Sequence, residues 1–99
     1  MSANSEARHT VDEAVRVVVL SKHLHARPAG QLAQLAARHQ PTAIELVAGD
    51  RRVNARSVLA VMGLGAVRGS QVRVVVAGPD AATVADEVVE IMQSPETDG

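Results

Sequence analysis

The spacing of apolar residues changes repeatedly along the chain, and each change marks a boundary between predicted elements. Four short runs, most of them rich in valine, isoleucine or leucine, are bounded by turn residues and are typical of β-strands. They lie at residues 14–20, 42–48, 51–55 and 71–77. The pair Gly49-Asp50 predicts a hairpin turn between the second and third runs. The first and last runs are the most uniformly apolar, so we expect both strands in the centre of the sheet.

Three further segments carry apolar residues three or four positions apart, the spacing that gives a helix one apolar face. They lie at residues 26–39, 57–64 and 80–93. Ser57 is the predicted N-cap of the short second helix, and Gly65 marks its end. The element order βαββαβα predicts an α+β fold, an open-faced two-layer sandwich. Its four-stranded, mainly antiparallel sheet would carry the three helices on one face.

Length and composition limit the possible classes of protein. The 99 residues have room for one domain, at 13–93, and the polar ends at 1–12 and 94–99 are expected to be flexible tails. Cysteine is absent, which excludes disulfides and thiolate metal sites. A net charge of −1 and the absence of aromatic residues argue against nucleic-acid binding. Because the sequence shows neither an apolar run long enough to span a membrane nor a signal peptide, we expect a cytoplasmic monomer that does not insert into a membrane.

The segment HLHARPAG, residues 23–30, joins the first predicted strand to the first helix. If that helix begins at Ala26, His25 is its N-cap and Pro28 lies in the first turn, where a missing N–H costs nothing. The first-turn amides and the helix dipole form an anion site, to which Arg27 adds a planar charged donor. This field favours the neutral, nucleophilic imidazole and would stabilise an attached phosphoryl group. The same residues are also compatible with a helix cap or a surface histidine.

The two histidines of this segment have a second interpretation, as a metal site. His23 and His25 are two residues apart, so on an extended segment they share a face and could bind zinc. A firm site needs a third ligand, and only His9, His39 or carboxylates distant in the sequence are available. We therefore expect no metal site and no cofactor, and we interpret His39 as a cap at the end of the first helix.

Two stretches of the chain resemble the HPr family, the histidine-containing phosphocarriers of the bacterial phosphoenolpyruvate-dependent sugar phosphotransferase system. HLHARPAG resembles the active-site motif, and DRRVNARSVLAVMGLG, residues 50–65, resembles the regulatory-serine segment. The similarity covers about residues 14–92 and implies the same sandwich fold. It implies that His25 accepts a phosphoryl group on Nδ1 from enzyme I and passes it to a sugar-specific IIA protein or domain. Such a protein is a carrier rather than an enzyme.

The resemblance implies roles for further residues of this chain. Arg27, together with the first-turn amides of Ala26 and Arg27, would steady the phosphoryl group. Ser57 would be the target of an HPr serine kinase. The partner-docking residues would be Val58, Leu59, Met62 and Leu64. A helix of about six residues cannot bury all four, so we expect Leu59 and Met62 to be exposed.

Two residues depart from the usual pattern of that family. His23 stands where glycine is usual, and Gly30 stands where alanine, serine, threonine or methionine is usual. Gly30 is expected to loosen the first helix by up to about 1 kcal/mol relative to alanine. Two other functions remain open on the sequence. A regulatory binding module with this fold would act through Ser57 and would not need His25, whereas a phosphoryl relay for nitrogen or dihydroxyacetone metabolism would use identical residues.

Overall fold

A computed structural model describes residues 12–94 of the chain. Its strands are β1 (Glu13–Val19), β2 (Ala43–Ala48), β3 (Arg51–Asn54) and β4 (Gln71–Ala77). Its helices are α1 (Ala26–Arg38), α2 (Val58–Gly63) and α3 (Ala81–Gln93). The predicted order of elements is confirmed, and each boundary lies within one residue of the expected one. The expected tails lie outside the described residues except for Asp12 and Ser94, so their flexibility stays a prediction.

The strands form a single antiparallel sheet in the order β1-β4-β2-β3. In β4, Val72, Val74 and Val76 are fully buried, whereas Gln71 and Arg73 are exposed on the opposite face. Because one set of alternate residues is buried and the other is not, the helices cover one face and leave the other open. The predicted open-faced, two-layer α+β sandwich is therefore confirmed.

β1 is an edge strand, so the expectation that both valine-rich strands lie in the centre of the sheet is wrong for β1. Of these two strands, only β4 has a neighbour on each side. On the open face, Val15, Val17 and Val19 are 47%, 60% and 57% exposed. Valine favours extended backbone at an edge as well as in the centre, so a run of valines does not report how many neighbours a strand has. Arg16 bonds Asp86 of α3 at 3.0 Å, and such a charge on an edge strand discourages pairing with a second chain.

The core between sheet and helices is built from aliphatic side chains, since the chain has no aromatic residue. Its largest fully buried members come from both layers and include Leu32, Leu35, Ile44, Leu46 and Met92. His39 caps the end of α1, as expected, and its Nε2 lies 3.1 Å from Oε1 of Glu87 in α3. Among residues 12–94, no helix is both long and apolar enough to cross a membrane.

The connection between β4 and α3 packs closely against the start of β2. Thr42 is only 3% exposed, and its hydroxyl donates a hydrogen bond to the carbonyl of Pro79 at 2.7 Å. Gly78 has a φ of +135°, and a Cβ at this position would lie 2.7 Å from Cα of Thr42. Because the obstructing atom belongs to the backbone, it cannot move aside as the end of a flexible side chain could. Gly78 is therefore required both for its dihedral angle and for the close approach of Thr42.

We expect Gly78→Ala to lower the free energy of unfolding by more than about 2 kcal/mol, because the added methyl group is placed against backbone at an unfavourable φ. Gly30→Ala is the matched control. A Cβ at Gly30 meets no atom within 4 Å, and alanine should stabilise α1 by about 0.5 to 1 kcal/mol. Urea unfolding followed by far-ultraviolet circular dichroism measures both changes. Equal effects of the two substitutions would contradict this account of Gly78.

Candidate functional site

His25 lies where the chain leaves β1 and enters α1. It is the N-cap of α1, as predicted, with φ −93° and ψ −165°. Its Nδ1 accepts a hydrogen bond from the backbone N–H of Arg27 at 3.3 Å. A ring nitrogen that accepts carries no proton, so a neutral ring in this geometry carries its proton on Nε2. The ring is partly exposed, and a reagent can therefore reach it from solvent.

The first turn of α1 offers two amides that the helix itself does not use. Pro28 has no N–H, and Ala29 donates its N–H to the carbonyl of His25 at 3.1 Å. The N–H groups of Ala26 and Arg27 are left at the end of the helix. No acidic side chain lies in this turn, so the positive end of the helix dipole is not compensated there. An anion beside His25 would meet the N–H of Ala26, the N–H of Arg27 once it turns away from Nδ1, and this field.

The side chain of Arg27 is exposed next to these amides. Within residues 12–94 it has no carboxylate partner, whereas Arg16 and Arg52 are paired with Asp86 and Glu45. A guanidinium group presents several N–H donors in one plane, a geometry that suits the oxygens of a phosphoryl group. Arg27 can therefore contribute to an anion site without first breaking an ion pair.

Leu24 holds the segment before α1 in place. It is 3% exposed, and its N–H donates to the carbonyl of Ala66 at 3.2 Å. The N–H of His25 donates to the carbonyl of His23 at 3.1 Å, which closes a three-residue turn centred on Leu24. Because the leucine side chain points into the core, the two imidazoles lie on the outside. Their ring centroids are 4.8 Å apart, and the rings are inclined by 51°.

The pair His23 and His25 lacks further metal ligands in the part of the chain that the structure describes. There, no group of three or more histidine, cysteine, aspartate or glutamate side chains is arranged to hold a metal ion. His39, one of the distant ligands considered from the sequence, is instead engaged with Glu87 of α3. His9 lies outside the described residues. What the structure shows of these two imidazoles is their position next to the N-terminus of α1.

Ser57 begins α2 as its N-cap, as predicted, and its Oγ accepts a hydrogen bond from the N–H of Ala60 at 3.1 Å. This end of α2 lies beside the end of α1. When the Gln40 amide is oriented with its oxygen towards Arg56, that oxygen lies 3.1 and 2.9 Å from the two terminal nitrogens of Arg56 and can accept from both. The opposite end of α2 leads to the loop that bonds Leu24. The structure therefore does not bring Ser57 and His25 together, and α2 separates them.

The four predicted docking residues divide between the surface and the core. Leu59 is 81% exposed and Met62 is 40% exposed. Val58 is partly buried against the core, and Leu64 is a core residue at 7% exposure. Val61, which is fully buried, anchors α2 to the core, and the helix then turns Leu59 and Met62 outwards. The side chain of Leu64 thus packs in the core, and the exposed apolar area of α2 comes from Leu59 and Met62.

One exposed apolar residue near the site was not found from the sequence. Val67 is 54% exposed and follows Ala66, whose carbonyl binds Leu24. It therefore lies next to the His25 segment, although two helices and two strands separate them along the chain. No local pattern marks Val67, because its neighbourhood is created by a contact between residues distant in sequence.

Comparison with known proteins gives the class of the chain. The family model described as "PTS HPr component phosphorylation site" matches residues 13–94. The phosphocarrier protein HPr of Treponema pallidum (strain Nichols) is 38% identical over 71 residues, which cover 72% of this chain and 80% of the relative. The residues matched by the family model include the segment around His25 and the whole of the sheet.

Solved structures with the same fold agree with this class. The crystal structure of a phosphocarrier protein HPr from Bacillus anthracis (strain Ames) gives a TM-score of 0.74 at 26% identity, over 82% of this chain and 98% of that one. The solution structure of Crh, the catabolite repression HPr of Bacillus subtilis, gives 0.68 at 26% identity, over 85% and 99%. The fold and the family match define a phosphocarrier, a carrier protein rather than a catalyst. The chain belongs to the HPr family of the phosphotransferase system.

We expect Ser57→Ala to lower the free energy of unfolding by about 1 kcal/mol, because it removes the side-chain acceptor of the Ala60 N–H. Ser57→Asp is the matched control, since aspartate is an equally good N-cap and should retain most of the stability. Thermal and urea unfolding measure both variants. If Ser57→Ala is as stable as the parent protein, the hydroxyl does not stabilise α2.

Proposed function

We propose that this protein carries a phosphoryl group on Nδ1 of His25, accepts it from enzyme I and passes it to sugar-specific IIA proteins or domains. The observation that carries the proposal is the orientation of His25, whose Nδ1 faces the Arg27 amide at the N-terminus of α1. A phosphoryl group on this nitrogen would have its oxygens at the end of the helix, where donors and the dipole favour negative charge. On Nε2, at the other side of the ring, it would lie away from them.

The chemistry needs positioning and charge stabilisation more than covalent assistance. The lone pair of Nδ1 attacks phosphorus in line, and the P–N bond forms as the bond from phosphorus to the donor breaks. The contact between Nδ1 and the Arg27 N–H is 3.3 Å long, so little free energy is lost when that N–H turns to a phosphoryl oxygen. The amides of Ala26 and Arg27 and the Arg27 guanidinium then stabilise the charge. In the second transfer, the imidazole is the leaving group.

The proposed docking surface consists of Leu59, Met62 and Val67. These side chains are exposed, and both the end of α2 and the loop containing Val67 lead to the carbonyl that binds Leu24. A partner that covers them would stand over His25 and exclude water from the transferring group. Contact with an apolar patch also suits an exchange of partners, because burial of a few exposed side chains gives a complex of moderate affinity.

Ser57 is proposed as the target of an HPr serine kinase. A phosphate on Ser57 would carry a charge of about −2 at the start of α2, within one turn of Leu59. Because α2 separates Ser57 from His25, the phosphate would act on partner docking rather than on the imidazole. The proposed setting for these exchanges is the cytoplasm, with the protein as a monomer.

Two related functions remain alternatives to this proposal, and a structural observation bears on the first of them. The fold alone does not distinguish a phosphocarrier from a regulatory protein, since the chain resembles Crh as well as HPr. The N-cap position of His25 favours the carrier, because a module that only binds partners needs no nucleophile there. A relay for nitrogen or dihydroxyacetone metabolism would use the same residues, so assays with individual partners distinguish it.

We expect the protein to acquire one acid-labile phosphate from phosphoenolpyruvate and enzyme I, and His25→Ala to acquire none. Arg27→Ala should be labelled about tenfold more slowly, as expected for the loss of one charge-assisted hydrogen bond. His39→Ala is the control for a histidine away from the site and should be labelled at the parent rate. Intact-protein mass spectrometry measures the products. Labelling of His25→Ala would overturn the assignment.

Leu59→Ser should raise the Kd for enzyme I by about fivefold or more, because it removes the most exposed apolar side chain of the docking surface. Val17→Ser is the matched control, since Val17 is 60% exposed on the open face of the sheet. NMR titration of each labelled variant with enzyme I gives the Kd. The same loss of affinity in both variants would place the docking surface elsewhere.

A further inference from the structure

We propose that His23 is a second ligand of the phosphoryl group on His25, donating an imidazole N–H to one of its oxygens. This inference rests on the proposed function of His25. It assigns a role to a residue that precedes α1, the helix whose N-terminus forms the proposed site. It makes the site two-sided. The amides of Ala26 and Arg27 contact the group from the helix, and His23 contacts it from the preceding connection.

Backbone hydrogen bonds fix the position of His23 relative to His25. The hydrogen bond from the N–H of His25 to the carbonyl of His23, 3.1 Å long, closes the turn around Leu24. Leu24 is buried, and its N–H is bonded to Ala66, so neither end of the turn can move freely. The two rings therefore remain neighbours without help from side-chain packing. This preorganisation lowers the entropic cost of a contact from His23 to a group on His25.

The geometry of the rings allows that contact. The ring centroids are 4.8 Å apart, a separation that a phosphoryl group attached to one ring can bridge to the other. The inclination of 51° excludes a parallel stack, in which ring faces rather than N–H edges would meet. His23 is exposed, so its ring can rotate to direct an N–H at an oxygen. A neutral imidazole has one such donor and a protonated imidazole has two.

Phosphorylation of His25 would change the charge next to His23. The unmodified neighbourhood contains His25, Arg27 and the end of a helix dipole, with no acidic side chain in the first turn. A phosphoryl group adds a charge of about −2 and three acceptor oxygens. His23 thus lies near the positive end of the helix dipole before phosphorylation and would lie beside a strong acceptor after it. The contact should form only in the phosphorylated protein, which it would stabilise against loss of the group.

The test compares the lifetime of phosphohistidine in variants of the full chain labelled with phosphoenolpyruvate and enzyme I. His23→Leu removes the donor and should shorten the half-life of the phosphorylated protein by about threefold or more. His23→Gln and His23→Asn place an amide N–H near the positions of ring Nε2 and Nδ1, and at least one should restore most of the half-life. Lys22→Ala removes a neighbouring positive charge and is the control, with an expected change below about 1.5-fold.

A second measurement reports the contact directly. In the parent protein, the side-chain ¹⁵N and ¹H signals of His23 should shift on phosphorylation, and one ring N–H should become slow to exchange with water. The signals of His39, which lies at the other end of α1, should not move. A structural role of His23 alone would leave its ring N–H groups in fast exchange with water in both states, because only a hydrogen bond to the phosphoryl group would protect one of them.

The outcomes separate this inference from the proposed function. If His25→Ala is still labelled, the proposed function fails and His23 has no phosphoryl group to bind. If the parent protein is labelled on His25 but His23→Leu has an unchanged or longer half-life, only the role of His23 is overturned. Equal shortening in His23→Leu and Lys22→Ala would likewise overturn it, because general positive charge would then account for the effect.

Discussion

Leu24 is packed in the core between two histidines that face outwards, and its N–H is bonded to the carbonyl of Ala66. This one buried side chain sets the direction in which the chain enters α1. With Leu24 in place, His25 becomes the N-cap, and its ring lies over the end of the helix. The same contact brings the loop containing Val67 next to the imidazole. A shift at Leu24 would therefore move the proposed nucleophile, the proposed anion site and part of the proposed docking surface together.

The proposed phosphoryl site is made largely of backbone. Pro28 has no N–H, and the N–H of Ala29 is bonded to the carbonyl of His25, so the amides at the start of α1 are those of Ala26 and Arg27. The helix dipole adds to their effect without any side chain. A shallow site of this kind suits a carrier, which must hold a phosphoryl group and then release it to a partner. A deep pocket with many charged ligands would hold the group more firmly and would slow its transfer. The exposed Arg27 fits the same requirement, because partners can reach the group from its side.

The short helix α2 separates the two residues at which we propose phosphorylation. Ser57 lies at its start, beside the end of α1, whereas its other end leads to the loop that contacts the His25 segment. Leu59 and Met62 lie between them and face outwards. A partner seated on these residues would be sensitive to charge at Ser57 while it exchanged a phosphoryl group at His25. The proposed regulation thus requires no change in the geometry of the imidazole.

The elements of this protein were predictable because each one is encoded locally. Apolar spacing gave the strands and helices to within one residue, and two caps, His25 and Ser57, followed from where the helices begin. The chemistry proposed for His25 also follows from local sequence, because the N-terminus of a helix is formed by consecutive residues. Local signals of this kind depend on residues within one or two turns, and these are all visible in the sequence.

The arrangement of those elements was decided by contacts between distant residues. A run of valines showed that β1 is a strand, but not that it lies at the edge of the sheet with three valines exposed. Burial of Leu64, exposure of Val67 and separation of Ser57 from His25 likewise depend on how α2 packs against α1. Periodicity reports which face of an element is apolar, whereas the neighbour that covers this face is chosen by the packing of the whole domain. The sequence therefore determined the elements and pointed to the proposed nucleophile, and tertiary structure determined what surrounds them.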